Sequence, residues 1–117
     1  MSIIYITHNL GVIAEISDEV LVMYLGKAVE HANTDEIFHN PLHPYTIGLL
    51  KSIPKVGKKA RTKLEAIEGI VPPPLDLPRG CRFYRRCREA KEGICNVDNP
   101  SLIEVTKGHW VSCFLYK

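Results

Sequence analysis

The grouping of the four cysteines restricts the fold of this chain more than any other feature of its sequence. All four lie within 33 residues of a 117-residue chain, with the spacing C-x5-C-x7-C-x17-C: Cys81, Cys87, Cys95 and Cys113. This spacing differs from the paired cysteines of common zinc sites and from the cysteine runs of ferredoxins. Three interpretations remain, which are two disulfides, four unrelated buried thiols, or a metal site held by four thiolates.

The surroundings of the cysteines favour the metal site. Disulfides persist in oxidising compartments, and the N-terminus has neither the basic region nor the cleavage site of a signal peptide. Four unrelated thiols would not usually crowd into so short a stretch. Arginines bracket the first two cysteines and would offset the charge of a thiolate site: Arg79, Arg82, Arg85, Arg86 and Arg88. We therefore predict a metal site, with His109 as a possible extra ligand, although a lone histidine before a strand is more often structural.

The charge of the chain changes sign near its middle. Residues 1–50 hold one basic and six acidic side chains, whereas residues 51–117 hold fourteen basic and seven acidic ones. A basic run without acidic residues, at 51–63, precedes a proline-rich stretch. The change of sign therefore predicts two parts with different surroundings, and all four cysteines lie in the basic part.

Hydrophobic patterning predicts short strands and helices, and hence an α+β fold. Strands are predicted at 3–6, 20–24, 27–30 and 109–116, the first of them covered on both faces and the third at a sheet edge. Helices are predicted at 10–17 after the cap Asn9, from a capping box at Asn33 to about residue 39, and at 45–52 after Pro44.

His8 is the histidine that is best placed for chemistry. It follows the predicted strand at 3–6, and ligands bind at the carboxyl ends of strands in open α/β sheets. The alternative is a histidine that only bonds nearby backbone at the start of a helix. The chain contains no G-x-x-x-x-G-K-[ST] phosphate loop and no serine nucleophile elbow, so catalysis by this chain alone is not expected.

Four segments form a combination that is more specific than any one of them. Residues 4–10, IYITHNL, resemble the switch-histidine segment of ABC transporter ATPases, and residues 20–27, VLVMYLGK, resemble the strand and turn that follow it. Residues 40–46, NPLHPYT, are similar to a segment of dipeptide and oligopeptide importer ATPases. The cysteine tail, which ends in GHWVSC at 108–113, resembles the C-terminal extension of the same subfamily.

The resemblance implies a function and an architecture. Residues 1–53 would be the end of a nucleotide-binding domain, 54–80 a basic and proline-rich linker, and 81–117 a four-cysteine extension. The chain would be a C-terminal fragment of an ATP-binding subunit that, at full length, couples ATP hydrolysis to peptide uptake. A different interpretation is a stand-alone four-cysteine interaction module that binds an iron–sulfur cluster or zinc.

The resemblance also implies residue roles and partners. His8 would contact the γ-phosphate and orient the attacking water, with ATP and magnesium bound only by the full-length subunit. The four cysteines would hold a [4Fe–4S] cluster, with zinc as the alternative. The partners would be membrane permease subunits and a second ATP-binding subunit, at the cytoplasmic face of the membrane. We expect the isolated chain to self-associate through residues 3–6. Nucleic acid is not expected as a partner, because the basic run at 51–63 lacks the interleaved aromatic residues that are typical of nucleic-acid binding.

Overall fold

Three α-helices and four short strands form the architecture in the computed structural model, which describes residues 2–7, 9–52 and 79–116. Two short 3-10 turns lie at Tyr84–Arg86 and Phe114–Tyr116. The main elements, in chain order, are α1 (Leu10–Ile16), β1 (Glu19–Tyr24), β2 (Lys27–Asn33), α2 (Thr34–His39), α3 (Pro44–Lys51), β3 (Ile103–Thr106) and β4 (His109–Val111). The predicted α+β class is confirmed.

The four strands form one antiparallel sheet in the order β1-β2-β4-β3. Strand β2 was predicted to lie at an edge, and this prediction is wrong. It pairs with β1 on one side and with β4 on the other, where Glu30 faces Val111 and His31 faces Trp110. The second partner lies about eighty residues further along the chain, so the local pattern of β2 could not show it.

The predicted strand at 3–6 is absent from the sheet. Residues 2–7 have no regular secondary structure, and Ile4 and Ile6 are 89% and 93% exposed. The predicted burial on both faces is therefore wrong for this structure. An apolar, β-branched run favours an extended backbone, but a strand also needs a neighbour with which to exchange hydrogen bonds, and none of the described strands pairs with this run.

The predicted last strand is shorter than expected. Only His109–Val111 is extended, and a 3-10 turn follows at Phe114–Tyr116. Its hairpin partner β3 was not predicted, because Ile103–Thr106 is a short segment that is mostly exposed.

Side-chain caps begin the helices where the sequence places them. Asn9 Oδ1 accepts a hydrogen bond from Val12 N at 3.3 Å, and Asn33 Oδ1 accepts one from Glu36 N at 2.8 Å. Pro44 occupies the first turn of α3, where its missing N–H group needs no partner. The three predicted helices are confirmed to within one or two residues.

Two apolar clusters cover the inner face of the sheet. One contains the buried side chains of Val20, Ala32 and Ile37. The other brings Phe83, from the cysteine segment, against Tyr24 at the end of β1, with ring centroids 5.1 Å apart and ring planes at 89°. The cysteine segment is thus packed onto the sheet. In the described ranges, no helix has the length and apolar character that a membrane span requires.

Candidate functional site

A buried carboxylate lies at the centre of the sheet. Glu30 on β2 is 0% exposed, and its Oε1 accepts a hydrogen bond from His43 N at 2.9 Å. Its Oε2 accepts a second bond from Leu42 N at 3.0 Å and lies 2.5 Å from His109 Nε2. A buried charge is costly unless it is paired and hydrogen-bonded. Glu30 meets this requirement by binding both the 40–46 segment and β4.

His109 extends this cluster to α2. Its ring is 2% exposed, and Nδ1 lies 3.5 Å from Glu36 Oε2, while Nε2 faces Glu30. One imidazole therefore links carboxylates on β2 and α2. This contact network gives His109 a structural position, with the ring directed at Glu30 and Glu36.

His43 caps α3 within the same buried region. Its Nδ1 accepts a hydrogen bond from Tyr45 N at 3.0 Å, which leaves the proton of the neutral ring on Nε2. That Nε2 is buried and has no hydrogen-bond partner among the residues that the structure describes. Burial, with a smaller contribution from the charge of Lys27, lowers the pKa of His43 from 6.5 to about 4. His43 is therefore a neutral cap at neutral pH.

The four cysteines line one pocket at the edge of this buried cluster. His43, Pro44 and Phe83 contribute to its wall, and the cysteine side chains are free thiols. Burial and the neighbouring sulfurs raise the pKa of the Cys87 thiol to about 11, and burial also raises the pKa of Cys81 and of Cys113. These three groups are therefore protonated thiols at neutral pH.

Backbone contacts bring the first and third cysteines together. Cys81 N donates to Cys95 O at 2.7 Å, and Lys91 N donates to Cys95 Sγ at 3.4 Å. Gly80 permits this approach, because a Cβ atom at position 80 would lie 2.2 Å from Cys95 O. The backbone at Gly80 and Cys81 thus packs directly against the backbone of Cys95.

The predicted metal cofactor is not supported by this geometry. The described ranges include all four cysteines, and they contain no group of three or more His, Cys, Asp or Glu side chains that could hold a metal ion. A four-thiolate site needs every sulfur at bonding distance from one point, and sharing a pocket wall does not meet that condition. The prediction of a [4Fe–4S] cluster, with zinc as its alternative, is therefore wrong. The stand-alone metal-binding module has no support.

Two predicted features lie outside the described residues. One is His8, although its neighbours are placed: Asn9 N donates to Thr7 Oγ1 at 3.0 Å, and α1 begins at Leu10. The other is most of the segment 54–80. The role of His8 and the division of the chain into three segments remain predictions.

The burial of Glu30 was not predicted from the sequence. The signal that could have found it is its position two residues before the apolar Ala32, because residues i and i+2 of a strand share a face. An acidic residue at an inward position predicts a partner, but His109 and the 40–46 backbone are too distant in sequence to be identified as that partner.

Known proteins share nearly the whole length of this chain. It is 51% identical over 116 residues to the oligopeptide transport ATP-binding protein AppD of Bacillus subtilis, covering 99% of this chain and 35% of that protein. It is 46% identical to the oligopeptide transport ATP-binding protein OppD of Escherichia coli, covering 97% and 33%. It is 40% identical to the dipeptide transport ATP-binding protein DppF of Haemophilus influenzae, covering 97% and 35%.

These relatives are about three times as long as this chain, which corresponds to a C-terminal part of them. A family profile described as "Oligopeptide/dipeptide transporter, C-terminal region" matches residues 29–95. The matched range contains Glu30, the 40–46 segment and three of the four cysteines. Because the profile covers more than half of the chain, the chain belongs to the family of oligopeptide and dipeptide transporter C-terminal regions.

Proposed function

We propose that this chain acts as the C-terminal portion of the ATP-binding subunit of a peptide importer, which in its full-length form couples ATP hydrolysis to peptide uptake. The observation that carries the proposal is the match of nearly the whole chain to relatives named as ATP-binding proteins of oligopeptide or dipeptide transport. The specific peptide would be selected by other components of the importer.

The buried cluster supports a scaffolding role for the C-terminal segment within this subunit. Glu30 binds the backbone of the 40–46 segment and the ring of His109 through one carboxylate. The cysteine segment adds Phe83 to the aromatic cluster beneath β1. These contacts join the part that resembles a nucleotide-binding domain to the extension that follows it.

The catalytic part of the proposal concerns His8. We assign it the contact with the γ-phosphate of ATP and the orientation of the attacking water. The support for this role is the position of His8 in the sequence, directly before Asn9, which caps α1 by accepting a hydrogen bond from Val12 N. The phosphate loop and the magnesium ligands would come from the full-length subunit.

The partners follow from the same assignment. The subunit would work with membrane permease subunits and with a second ATP-binding subunit, so it would lie at the cytoplasmic face of the membrane. The isolated chain would hydrolyse no ATP and would self-associate through its exposed apolar segment.

A chimera tests the proposal. The C-terminal third of the Bacillus subtilis AppD protein is replaced by this chain, and uptake of a labelled oligopeptide is measured in cells that lack AppD. We expect uptake to be retained, and His8→Ala in the chimera to reduce it by about 100-fold, the lower part of the range for removal of one group that stabilises a transition state. The matched control is His39→Ala, because His39 bonds only the backbone of Asp35 among the contacts observed.

The chimera and its two variants distinguish failure of the subunit assignment from failure of the role assigned to His8. An inactive chimera that is present at normal levels would contradict the assignment of this chain to such a subunit. Equal uptake by the His8→Ala and His39→Ala chimeras would contradict the catalytic role of His8 alone.

A further inference from the structure

The four-stranded sheet has one covered face and one face that carries exposed apolar side chains. The covered face holds Val20, Ala32 and the other members of the two apolar clusters. Because side chains alternate along β1, Leu21 and Met23 lie on the opposite side of the sheet, where each is 52% exposed. We call this opposite side the outer face.

Strand pairing joins the side chains of the outer face into one patch. Leu21 is directly opposite His31 on β2, and His31 is directly opposite Trp110 on β4. Met23 is opposite Ala28 in the first of these strand pairs. Directly opposite residues of antiparallel strands share a face, and neighbouring strands lie about 5 Å apart. The apolar side chains therefore form a row across three strands, with the ring of His31 within it.

The composition of the outer face differs from that of a sheet face in contact with water. A solvated face of an antiparallel sheet carries mostly polar side chains. Here two of the three outer positions of β1 are apolar, and β4 contributes Trp110, which is the only tryptophan of the chain and is 36% exposed. Acidic residues form a rim, with Glu19 two positions before Leu21 and Glu104 directly opposite Trp110. An apolar patch with a polar rim is typical of an interaction surface.

The relatives indicate what would cover this surface. They are about three times as long as this chain, which corresponds to a C-terminal part of them. If the chain is the C-terminal portion of such a subunit, about two thirds of the subunit precede it in the same polypeptide. A covalently attached partner meets the outer face at a high effective concentration, and a sheet gains stability when each apolar face is buried against another layer.

We propose that the outer face of the sheet packs against the preceding two thirds of the ATP-binding subunit. This inference rests on the proposed function. The preceding part would cover Leu21, Met23 and Trp110 with an apolar surface, and it would place basic side chains opposite the acidic rim. The sheet would then be the middle layer of the subunit, with the cysteine segment on one side and the preceding part on the other.

The test is hydroxyl-radical footprinting, quantified for each residue by mass spectrometry. Met23 and Trp110 are the reporters, and Leu115, which is 37% exposed and lines the cysteine pocket, is the reference. The isolated chain, diluted until light scattering gives the mass of one chain, is compared with the purified AppD chimera. We expect both reporters to be oxidised at least about fivefold more slowly, relative to Leu115, in the chimera, because a packed interface excludes water.

Other occupants of the outer face would give different results, and each would overturn the proposal. Reporters that are oxidised as slowly in the dilute isolated chain as in the chimera would mean that another segment of this chain covers the face. Protection that appears only when the isolated chain is concentrated would identify a second copy. Protection of the chimera that appears only with the membrane permease subunits would identify those subunits, and equal oxidation in every sample would show that nothing covers the face.

Peptide uptake by the chimera distinguishes this inference from the proposed function. A chimera that transports peptide while both reporters stay reactive would contradict the packing and leave the proposed function intact. A chimera that protects both reporters without transporting peptide would support the packing and contradict the proposed function.

Two matched double variants test the consequence of this packing. Leu21→Glu with Met23→Glu places two charges in the interface, so it should reduce uptake by the chimera at least about tenfold, because buried unpaired charges are costly. Ile94→Glu with Val97→Glu changes two side chains of similar exposure, 44% and 47%, in the cysteine segment and should leave uptake within about twofold of the wild type. Equal uptake by both double variants would contradict the packing.

The isolated chain provides the control for folding. Leu21→Glu with Met23→Glu should leave its urea midpoint close to that of the wild type, because neither side chain belongs to the described core. A large fall in the midpoint would show that these side chains act within this segment rather than at an interface with the preceding part.

Discussion

At the scale of the residue, Glu30 connects the C-terminal segment to the rest of the fold through buried hydrogen bonds. Its removal by Glu30→Ala would leave the buried His43 N and His109 Nε2, and the partly buried Leu42 N, without this partner. We expect the free energy of unfolding to fall by about 3–5 kcal/mol, because removal of one member of a buried, hydrogen-bonded polar cluster leaves its partners unpaired. Urea denaturation followed by circular dichroism measures the loss.

The control for Glu30 is a carboxylate on the neighbouring strand that also faces a histidine. Glu19 Oε2 lies 3.8 Å from His31 Nε2, but its side chain is 71% exposed. We expect Glu19→Ala to cost less than about 1 kcal/mol, as exposed pairs do. Similar losses for both variants would contradict the central role of Glu30.

Protonation of His43 should make the free energy of unfolding depend on pH. Its pKa is about 4 in the fold and 6.5 in an unfolded chain, so the unfolded state binds more protons between these values. The contribution of His43 is fully present above pH 6.5 and is lost as the pH falls towards 4, with a slope of up to about 1.4 kcal/mol per pH unit.

The variant His43→Asn isolates this contribution. Asparagine can still cap α3 but has no proton to gain in this range. Unfolding free energies measured from pH 4 to 7 should therefore depend less steeply on pH in the variant than in the wild type. Parallel curves would show that His43 is not the buried neutral group described here.

At the scale of the element, short-range sequence signals predict where the helices begin and end, but they do not predict which strands pair. Asn9 and Asn33 each lie within three residues of the backbone N–H group that they cap, and Pro44 occupies the first turn of α3, so sequence alone placed α1, α2 and α3. The interior position of β2 depends on β4, which is distant in sequence. Its assignment to an edge therefore failed.

The candidate site also combines features that the sequence indicates with features that only the fold shows. The four cysteines that cluster along the chain line one pocket, but the metal site that was predicted from this clustering is not supported. The sequence could not give the directions of the sulfur atoms, which decide whether a metal fits. Glu30 and His109 were separated by 79 positions, so their pairing at 2.5 Å could be found only in the fold.

At the scale of the whole molecule, the exposed apolar segment at residues 2–7 should govern the association of the isolated chain. Ile3, Ile4 and Ile6 are 77%, 89% and 93% exposed. Burial of each of these side chains against a second copy would contribute about 1.5–3 kcal/mol before the entropic cost of association. We therefore expect light scattering to give a mass above that of one chain, and the mass to rise with protein concentration.

The double variant Ile4→Lys and Ile6→Lys tests whether this segment is the contact. Two charges in place of two exposed apolar side chains should return the chain to the mass of a monomer without loss of stability, because neither residue contributes to the described core. Ser101→Lys adds a charge at an exposed position outside residues 2–7 and should leave association unchanged. A wild-type chain that stays monomeric at high concentration, or a double variant that associates as strongly as Ser101→Lys, would show that residues 2–7 do not mediate self-association.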